Sequence, residues 1–177
     1  MFLKQNNYCI ACGSKLTERE LKDEGLVGYC QSCDSFQFDP FNCAVSCIIL
    51  NPKQDKILLV KQYGLDHYRF VAGYINKGEN AQECIKREIK EELDQEVIRM
   101  EFNDTAYFSR SNTLMINFIV TLANEDVSNH NHEIDQADWF TYKEAKEFVL
   151  PNSLAELFLR KFLLEKEGNH EDNKIQF

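Results

Sequence analysis

Between Gly73 and Gln95 the chain reads GYINKGENAQECIKREIKEELDQ, and Gly73, Glu79, Arg87, Glu88, Glu91 and Glu92 are separated by five, seven, zero, two and zero residues. Glu88, Glu91 and Glu92 are related by steps of three and four, so on a helix their carboxylates leave from one side. Like charges at that spacing destabilise an isolated helix by a few tenths of a kcal/mol per pair, and a hard divalent cation reverses the sign. Mg²⁺ takes oxygen ligands and binds through one or two carboxylates plus a substrate's phosphates. The pattern therefore offers a site for a divalent cation that can share its shell with phosphate oxygens, weighed against the blander reading of a solvated acidic face. Six fixed residues recur at a chosen start with probability on the order of 10⁻⁷, which argues against coincidence.

A second constellation lies near the N-terminus. Cys9 and Cys12 form one Cys-x-x-Cys pair, Cys30 and Cys33 another, with 17 residues between the pairs. That spacing predicts a four-cysteine zinc site. Four thiolates close a tetrahedral Zn²⁺ with no open position, so the metal is expected to be structural, holding a segment too small for its own core. Disulfides are the alternative; no secretory signal precedes them, and Cys43, Cys47 and Cys84 read as ordinary buried thiols in apolar runs.

Local signals say what positions the glutamates. Asn80 with Glu83 makes a capping box that predicts a helix from about Ala81, whose apolar stripe is Ala81, Cys84, Ile85, Ile89 and Leu93. Ahead of it Tyr68 to Tyr74 reads as a strand, where Gly73 lets backbone come close to a metal. Cys43 to Leu50 and Ile57 to Gln62 read as a hairpin, followed after the helix by strands near Val97 to Ser109, Leu114 to Leu122 and Asp138 to Phe140. Thr141 with Glu144 predicts a helix through Val149, and Ser153 with Glu156 another to about Glu165. Strands interleaved with a few helices predict an α+β fold, a mixed β-sheet between helical layers.

The chain has 177 residues, 44% of them hydrophobic, which suits one domain and a small appendage. The expected division is residues 1–42 for the zinc segment, 43–165 for the main domain and 166–177 for a polar C-terminal tail. No run is long enough for a membrane helix, so the expectation is a soluble, cytoplasmic protein with no membrane partner. The formal charge is −9, and residues 1–42 carry four Lys/Arg against six Asp/Glu. Nucleic acid is an unlikely partner for a surface of that sign.

Taken together, the spaced residues from Gly73 to Glu92 resemble the Nudix box, which marks hydrolases of a diphosphate linked to another group. The resemblance implies an α/β/α sandwich over about residues 43–165, with Mg²⁺ or Mn²⁺ as catalytic ion. A four-cysteine zinc ribbon ahead of a Nudix domain is similar to the NADH pyrophosphatase branch, as is FVAGYINKGE at Phe70 to Glu79. Glu133-Ile134, Ala137 and Trp139-Phe140 resemble that branch's Glu-Ile-x-x-Ala-x-Trp-Phe segment, which assigns Glu133 as a further metal ligand. The carbonyl before the box glycine, here Ala72, joins the metal shell by the same resemblance.

The chain also departs from the pattern. Asp94 replaces the glycine expected to end the helix left-handed, and polar Gln95 replaces an apolar residue, with Val97 and Ile98 available to take over its packing. The branch's proline- and tryptophan-rich dinucleotide motif is absent; TAYFSRSNT precedes Leu114-Met115 and Phe118, and Asn117 replaces a glycine. Tyr107 or Phe108 and Tyr74 are the candidates to stack on a base, and Arg110 to reach a phosphate, with core packing as the alternative for the aromatics.

The resulting assignment makes Glu88 and Glu92 direct Mg²⁺ ligands and Glu91 a further ligand or the holder of a metal-bound water, with Glu91, Glu92 or Glu133 as base. Arg87, about 100° around the helix from Glu88, is expected to orient Glu79. His130 and His132 read as solvent-exposed. The expected function is hydrolysis of a dinucleotide such as NADH, NAD⁺ or ADP-ribose into two monophosphates. The alternatives are hydrolysis of another nucleoside diphosphate derivative or a triphosphate, or a non-catalytic ligand sensor. A homodimer is compatible with the resemblance.

Overall fold

The computed structural model describes residues 7–172. The chain separates into two compact units, Met1–Phe41 and Asn42–Phe177. In the first, β1 (Thr17–Leu21) pairs antiparallel with β2 (Gly25–Cys30), which pairs antiparallel with β3 (Ser35–Gln37). A single 3₁₀ turn, Lys22–Glu24, joins β1 to β2 and closes at Gly25, whose φ of 75° suits glycine. Almost all of β1 is exposed, and the buried apolar residues described in this unit are Cys9, Tyr29 and Cys30. Three residues bury too little apolar surface to hold a sheet, so something other than a core must fasten it.

The second unit is built on a six-stranded sheet. Its order is β7 (Val97–Phe108), β8 (Thr113–Leu122), β4 (Asn42–Leu50), β5 (Lys56–Gln62), β9 (Ile134–Thr141), and β6 (Val71–Tyr74) also pairs with β4. The β4–β8 pair is parallel and the others are antiparallel, so the sheet is mixed. Because β4 is buried on both faces, it reads as one apolar run, CAVSCIIL. Val45, Cys47 and Ile49 meet Cys84, Ile85, Ile89 and Leu93 of α1 (Ala81–Leu93). Ile48 and Leu50 meet Ala145 and Val149, and Phe158 and Phe162, from the region of α2 (Tyr142–Phe148) and α3 (Leu154–Asp172). The result is the expected α/β/α sandwich with a mixed sheet.

Several boundaries differ from expectation. The strand leading to the box is only Val71–Tyr74; Tyr68 and Arg69 make isolated bridges to Val149 and Val60 instead. β9 begins at Ile134, because pairing with β5 extends it well ahead of Asp138. α3 continues past Glu165 to Asp172, and residues 173–177 of the expected tail lie outside the described residues. Val97 packs against the α1-side core, but Ile98 is exposed, since consecutive strand residues face opposite ways. Gln95 is itself buried and donates to the Asp126 carbonyl. Cys43 is only half-buried, unlike Cys47 and Cys84.

Candidate active site

The helix that carries the glutamates is fastened at both ends. Asn80 accepts from the Glu83 amide at 2.9 Å, and the Glu83 carboxylate accepts from the Asn80 amide at 3.1 Å. This reciprocal box satisfies two of the free N–H groups at the helix start. At the far end Asp94 adopts φ 51°, ψ 35°, the left-handed conformation that glycine usually supplies. Its carboxylate is held by Lys90 and, at 2.7 Å, by the Asn129 amide.

Arg87 organises the acidic face. Its Nε and Nη2 donate to the two oxygens of Glu79 at 2.8 and 3.0 Å, its Nη1 to Glu88 at 2.7 Å and to Glu91 at 3.1 Å, and Nη2 also to the Tyr74 carbonyl. Arg87 was expected to orient Glu79, and it reaches Glu88 and Glu91 as well. A long, branched guanidinium spans the helix rotation and bridges three carboxylates. Arg87 and then the Asn76 amide hold the Glu79 carboxyl down to about 2.

Glu88 lies against Gly73. A Cβ placed on Gly73 falls 1.9 Å from Glu88 Oε1 and 2.1 Å from its Cδ, so no other residue leaves room for that carboxylate. The glycine thus admits a side chain from α1. Burial raises the Glu88 carboxyl above the usual range, against the opposing pull of Arg87. Glu92, only 3% exposed, accepts from the Gln62 amide at 2.8 Å. Burial, then the charges of Glu88 and Glu133, push it to about 8. Glu133 arrives on the loop before β9: the Asn131 amide donates to the Glu92 carbonyl at 2.9 Å, the Tyr63 amide to the Glu133 carbonyl, and the Tyr63 hydroxyl to the Glu133 carboxylate.

The carboxylates are adjacent without being gathered. Among the described residues, the one group of potential metal ligands with all its ligating atoms within 4.8 Å of one another is Cys9, Cys12, Cys30 and Cys33. Arg87 draws Glu79, Glu88 and Glu91 to itself while Gln62 holds Glu92. Four sulfurs around a tetrahedral zinc stand about 3.8 Å apart, given Zn–S bonds of about 2.3 Å. Cys9 and Cys33 are separated by 3.9 Å and Cys12 and Cys30 by 3.5 Å, so the thiol set fits such an ion. Hydrogen bonding with Ser14 brings the Cys12 thiol down to about 6, while Cys33 is pushed up to about 12, first by its hydrogen bond with Cys12.

The candidate substrate residues divide by strand alternation. Phe108, Arg110 and Ala72 line a cavity of about 430 Å³ on the α3 side of the sheet. Tyr107 points the other way and bonds Asn112, and Tyr74 is 57% exposed on β6. His132 is exposed as expected, whereas His130 is half-buried, its Nδ1 by the Asn131 carbonyl. Gln62 and Tyr63, which hold Glu92 and Glu133, went unrecognised in the sequence. The only local signal was a Gln-Tyr-Gly interruption of an apolar strand, and Tyr63 indeed takes a positive φ of 56°.

The class so defined is an α/β/α sandwich that lays clamped, oxygen-bearing side chains from one helix beside a glycine of its own sheet. Residues 40–162 match the family model described as NUDIX domain, and the chain belongs to the Nudix family. It is 24% identical over 170 residues to the NAD-capped RNA hydrolase NudC of Pseudomonas aeruginosa, covering 95% of this chain and 59% of that protein. The corresponding Pseudomonas putida protein is 25% identical over 167 residues, with 93% of this chain covered. The chain thus spans 59% of the length of these relatives. A NUDIX hydrolase from Nitrosomonas europaea superposes with a TM-score of 0.66 at 18% identity, covering 92% of this chain and 93% of the other. An Ap4A hydrolase from C. elegans gives 0.58 at 20% identity, over 71% and 98%. At these identities the structural likeness establishes the fold. No helix among the described residues is long and apolar enough to cross a membrane.

Proposed function

We propose that this chain is a pyrophosphohydrolase, dependent on Mg²⁺ or Mn²⁺, that splits a dinucleotide such as NADH, NAD⁺ or ADP-ribose into two monophosphates. The observation that carries the reading is the Glu88 carboxylate seated where a Gly73 side chain would be, beside buried Glu92 and the Glu133 loop. A set of hard oxygens, two of them raised by burial, suits a hard divalent cation and is costly without one. In this reading Glu88 and Glu92 hold the ion, with Glu133 and the Ala72 carbonyl as further ligands. When bound, the ion neutralises phosphate charge and lowers the pKa of the attacking water.

The remaining steps fall to the chain's own side chains. Arg87 fixes Glu79 and Glu88, so that the ligand geometry is set before substrate arrives. Glu91, whose side chain is 56% exposed and steadied by Arg87, takes the proton from the attacking water. The four cysteines of the first unit hold a structural zinc with no open position. The NudC relatives carry NAD-capped RNA hydrolysis in their names, which makes capped RNA a second substrate to test.

The deciding measurement is a hydrolysis panel with Mg²⁺ and with Mn²⁺: NADH, NAD⁺, ADP-ribose, NAD-capped RNA, other nucleoside diphosphate derivatives and nucleoside triphosphates, read as monophosphate or phosphate release. A dinucleotide is expected to give the highest kcat/KM. Preference for a triphosphate overturns the dinucleotide assignment, and no turnover of any compound favours the sensor reading.

A further inference from the structure

The turn that ends β5 is strained without being packed. Tyr63 takes φ 56° and Gly64 φ 68°, two left-handed residues in succession, just after a register shift in the β5–β9 pairing at Lys61/Gln62. Glycine adopts that conformation freely, whereas a residue with a Cβ is strained in it. Burial of the Tyr63 ring offsets little of this, since the residue is 64% exposed. Strained residues persist where the surrounding structure holds them for a purpose, so an exposed left-handed tyrosine beside the candidate site points to a role for its hydroxyl.

That hydroxyl is not what holds the loop it touches. The loop is anchored without it: the Asn131 amide donates to the Glu92 carbonyl at 2.9 Å, the Glu133 amide to Asn131 Oδ1 at 2.9 Å, the Gly64 amide to Asp135 Oδ2 at 2.6 Å, and Asn129 Nδ2 to the Asp94 carboxylate at 2.7 Å. The Tyr63 amide adds a bond to the Glu133 carbonyl at 3.3 Å. What the hydroxyl contributes is confined to one atom, Oε2 of Glu133, to which it donates. Oε1 of the same carboxylate makes no hydrogen bond among the described residues, so one oxygen is held and the other is left to a ligand.

We propose that Tyr63 is a positioning residue that fixes the Glu133 carboxylate for a divalent cation, and that it acts on cation affinity through Glu133 alone. Its amide and its hydroxyl grip the carbonyl and the carboxylate of one residue, so the Glu133 side chain is set at both ends. A loose glutamate on a loop samples several rotamers and gives up that freedom when it takes an ion; held by Tyr63, it has given it up already. The preceding residue, Gln62, holds Glu92 from the same turn, so one short segment orients acidic groups from two remote parts of the chain. The inference rests on the metal-dependent reading above, in which Glu133 is a ligand, and adds how the fold readies a ligand carried on a loop.

The test is a titration of the whole chain with Mn²⁺ alone, followed by electron paramagnetic resonance of the free ion. Tyr63→Phe should raise the Mn²⁺ dissociation constant about threefold to tenfold while the melting temperature of the second unit holds within about 2 °C. Placed on Glu133→Ala, the same substitution should change Mn²⁺ affinity by less than about 1.5-fold, because the hydroxyl then has no carboxylate to orient. Tyr63→Gly relieves the left-handed strain, so its melting temperature should hold or rise although Mn²⁺ binding weakens as in Tyr63→Phe. Affinity unchanged or tightened in Tyr63→Phe overturns the proposal, and so does an equal loss with and without the Glu133 carboxylate, which a purely structural role would give. Failure of the unaltered protein to bind Mn²⁺ overturns the proposal and the metal-dependent reading together, whereas binding that Glu92→Gln removes and Tyr63→Phe leaves intact overturns the proposal alone. Tyr63-dependent Mn²⁺ binding without hydrolysis of any diphosphate removes the enzymatic reading and leaves the positioning role standing.

Discussion

The two units solve opposite problems with polar ligands. In the first, four cysteine sulfurs lie within 4.8 Å of one another while almost nothing apolar is buried around them. In the second, a large two-sided core is already complete, and the glutamates of α1 are held on its margin by Arg87 and Gln62. In the proposed reading a closed thiolate set around zinc substitutes for a missing core, and metal binding and folding are one event there. An acidic set beside a finished core is held in place by protein contacts, and the charges it concentrates are available for chemistry.

The comparison is broken most directly at the glutamate site. Gly73→Ala forces a methyl into the Glu88 carboxylate, and kcat/KM should fall at least about a hundredfold, since displacements near 1 Å at a reacting centre cost that much. Glu92→Gln should cost at least as much activity while the melting temperature holds or rises, because a neutral amide replaces a carboxyl that is costly to ionise in a buried position. Unchanged steady-state rates in both variants would remove α1 from the reaction.

The next effect concerns the first unit. A zinc chelator should abolish amide hydrogen-exchange protection across β1 to β3, consistent with roughly 10–16 kcal/mol of apparent binding energy in small zinc modules, while β4 to β9 stay protected. Retained protection in β2 after chelation would mean that the cysteines are not what fastens this sheet.

A smaller effect is pH-dependent. The Glu92 carboxyl is raised to about 8 when folded, against an unfolded value near 4.5, so its favourable contribution is complete below the unfolded value and is lost as pH rises through about 8. Glu79, held near 2, acts oppositely and only in acid, its contribution disappearing as pH falls from the unfolded value through about 2. In magnesium-free buffer the second unit should therefore lose denaturant stability between pH 5 and pH 8, and Glu92→Gln should flatten that slope. A slope unaltered by the substitution would show that Glu92 is not its source. The smallest effect is expected at Asp94→Gly: relief at φ 51° favours the variant, loss of the Lys90 and Asn129 contacts opposes it, and the net change in stability should stay within about 1 kcal/mol.

Much of the fold was legible because its signals are local. Two capping boxes, at Asn80 with Glu83 and at Thr141 with Glu144, start α1 and α2 where the sequence places them. The apolar runs of β4 and β5 needed only length and breakers to be recognised. The short β6 and the early start of β9 were not legible, because partner strands set their limits. Around the candidate site, the spacing of the glutamates is visible in the chain, whereas Gln62 and Tyr63 reach them across 30 and 70 residues of sequence. The reach of Arg87 beyond Glu79 to Glu88 and Glu91 was not legible for a related reason: helix rotation locates its Cα, not the end of a flexible guanidinium.

What the amino-acid order alone determined, then, is which groups are present, which of them share a helix side, and which short segments start and stop regular structure, since these depend on neighbours three or four residues apart. Only tertiary packing decided that Gly73 makes room for Glu88, that Gln62 holds Glu92 in a dry site, and that Ser46, Arg69 and Arg110 converge on one cavity. Those outcomes depend on distances between segments remote in sequence, set by how the two faces of the sheet bury their side chains.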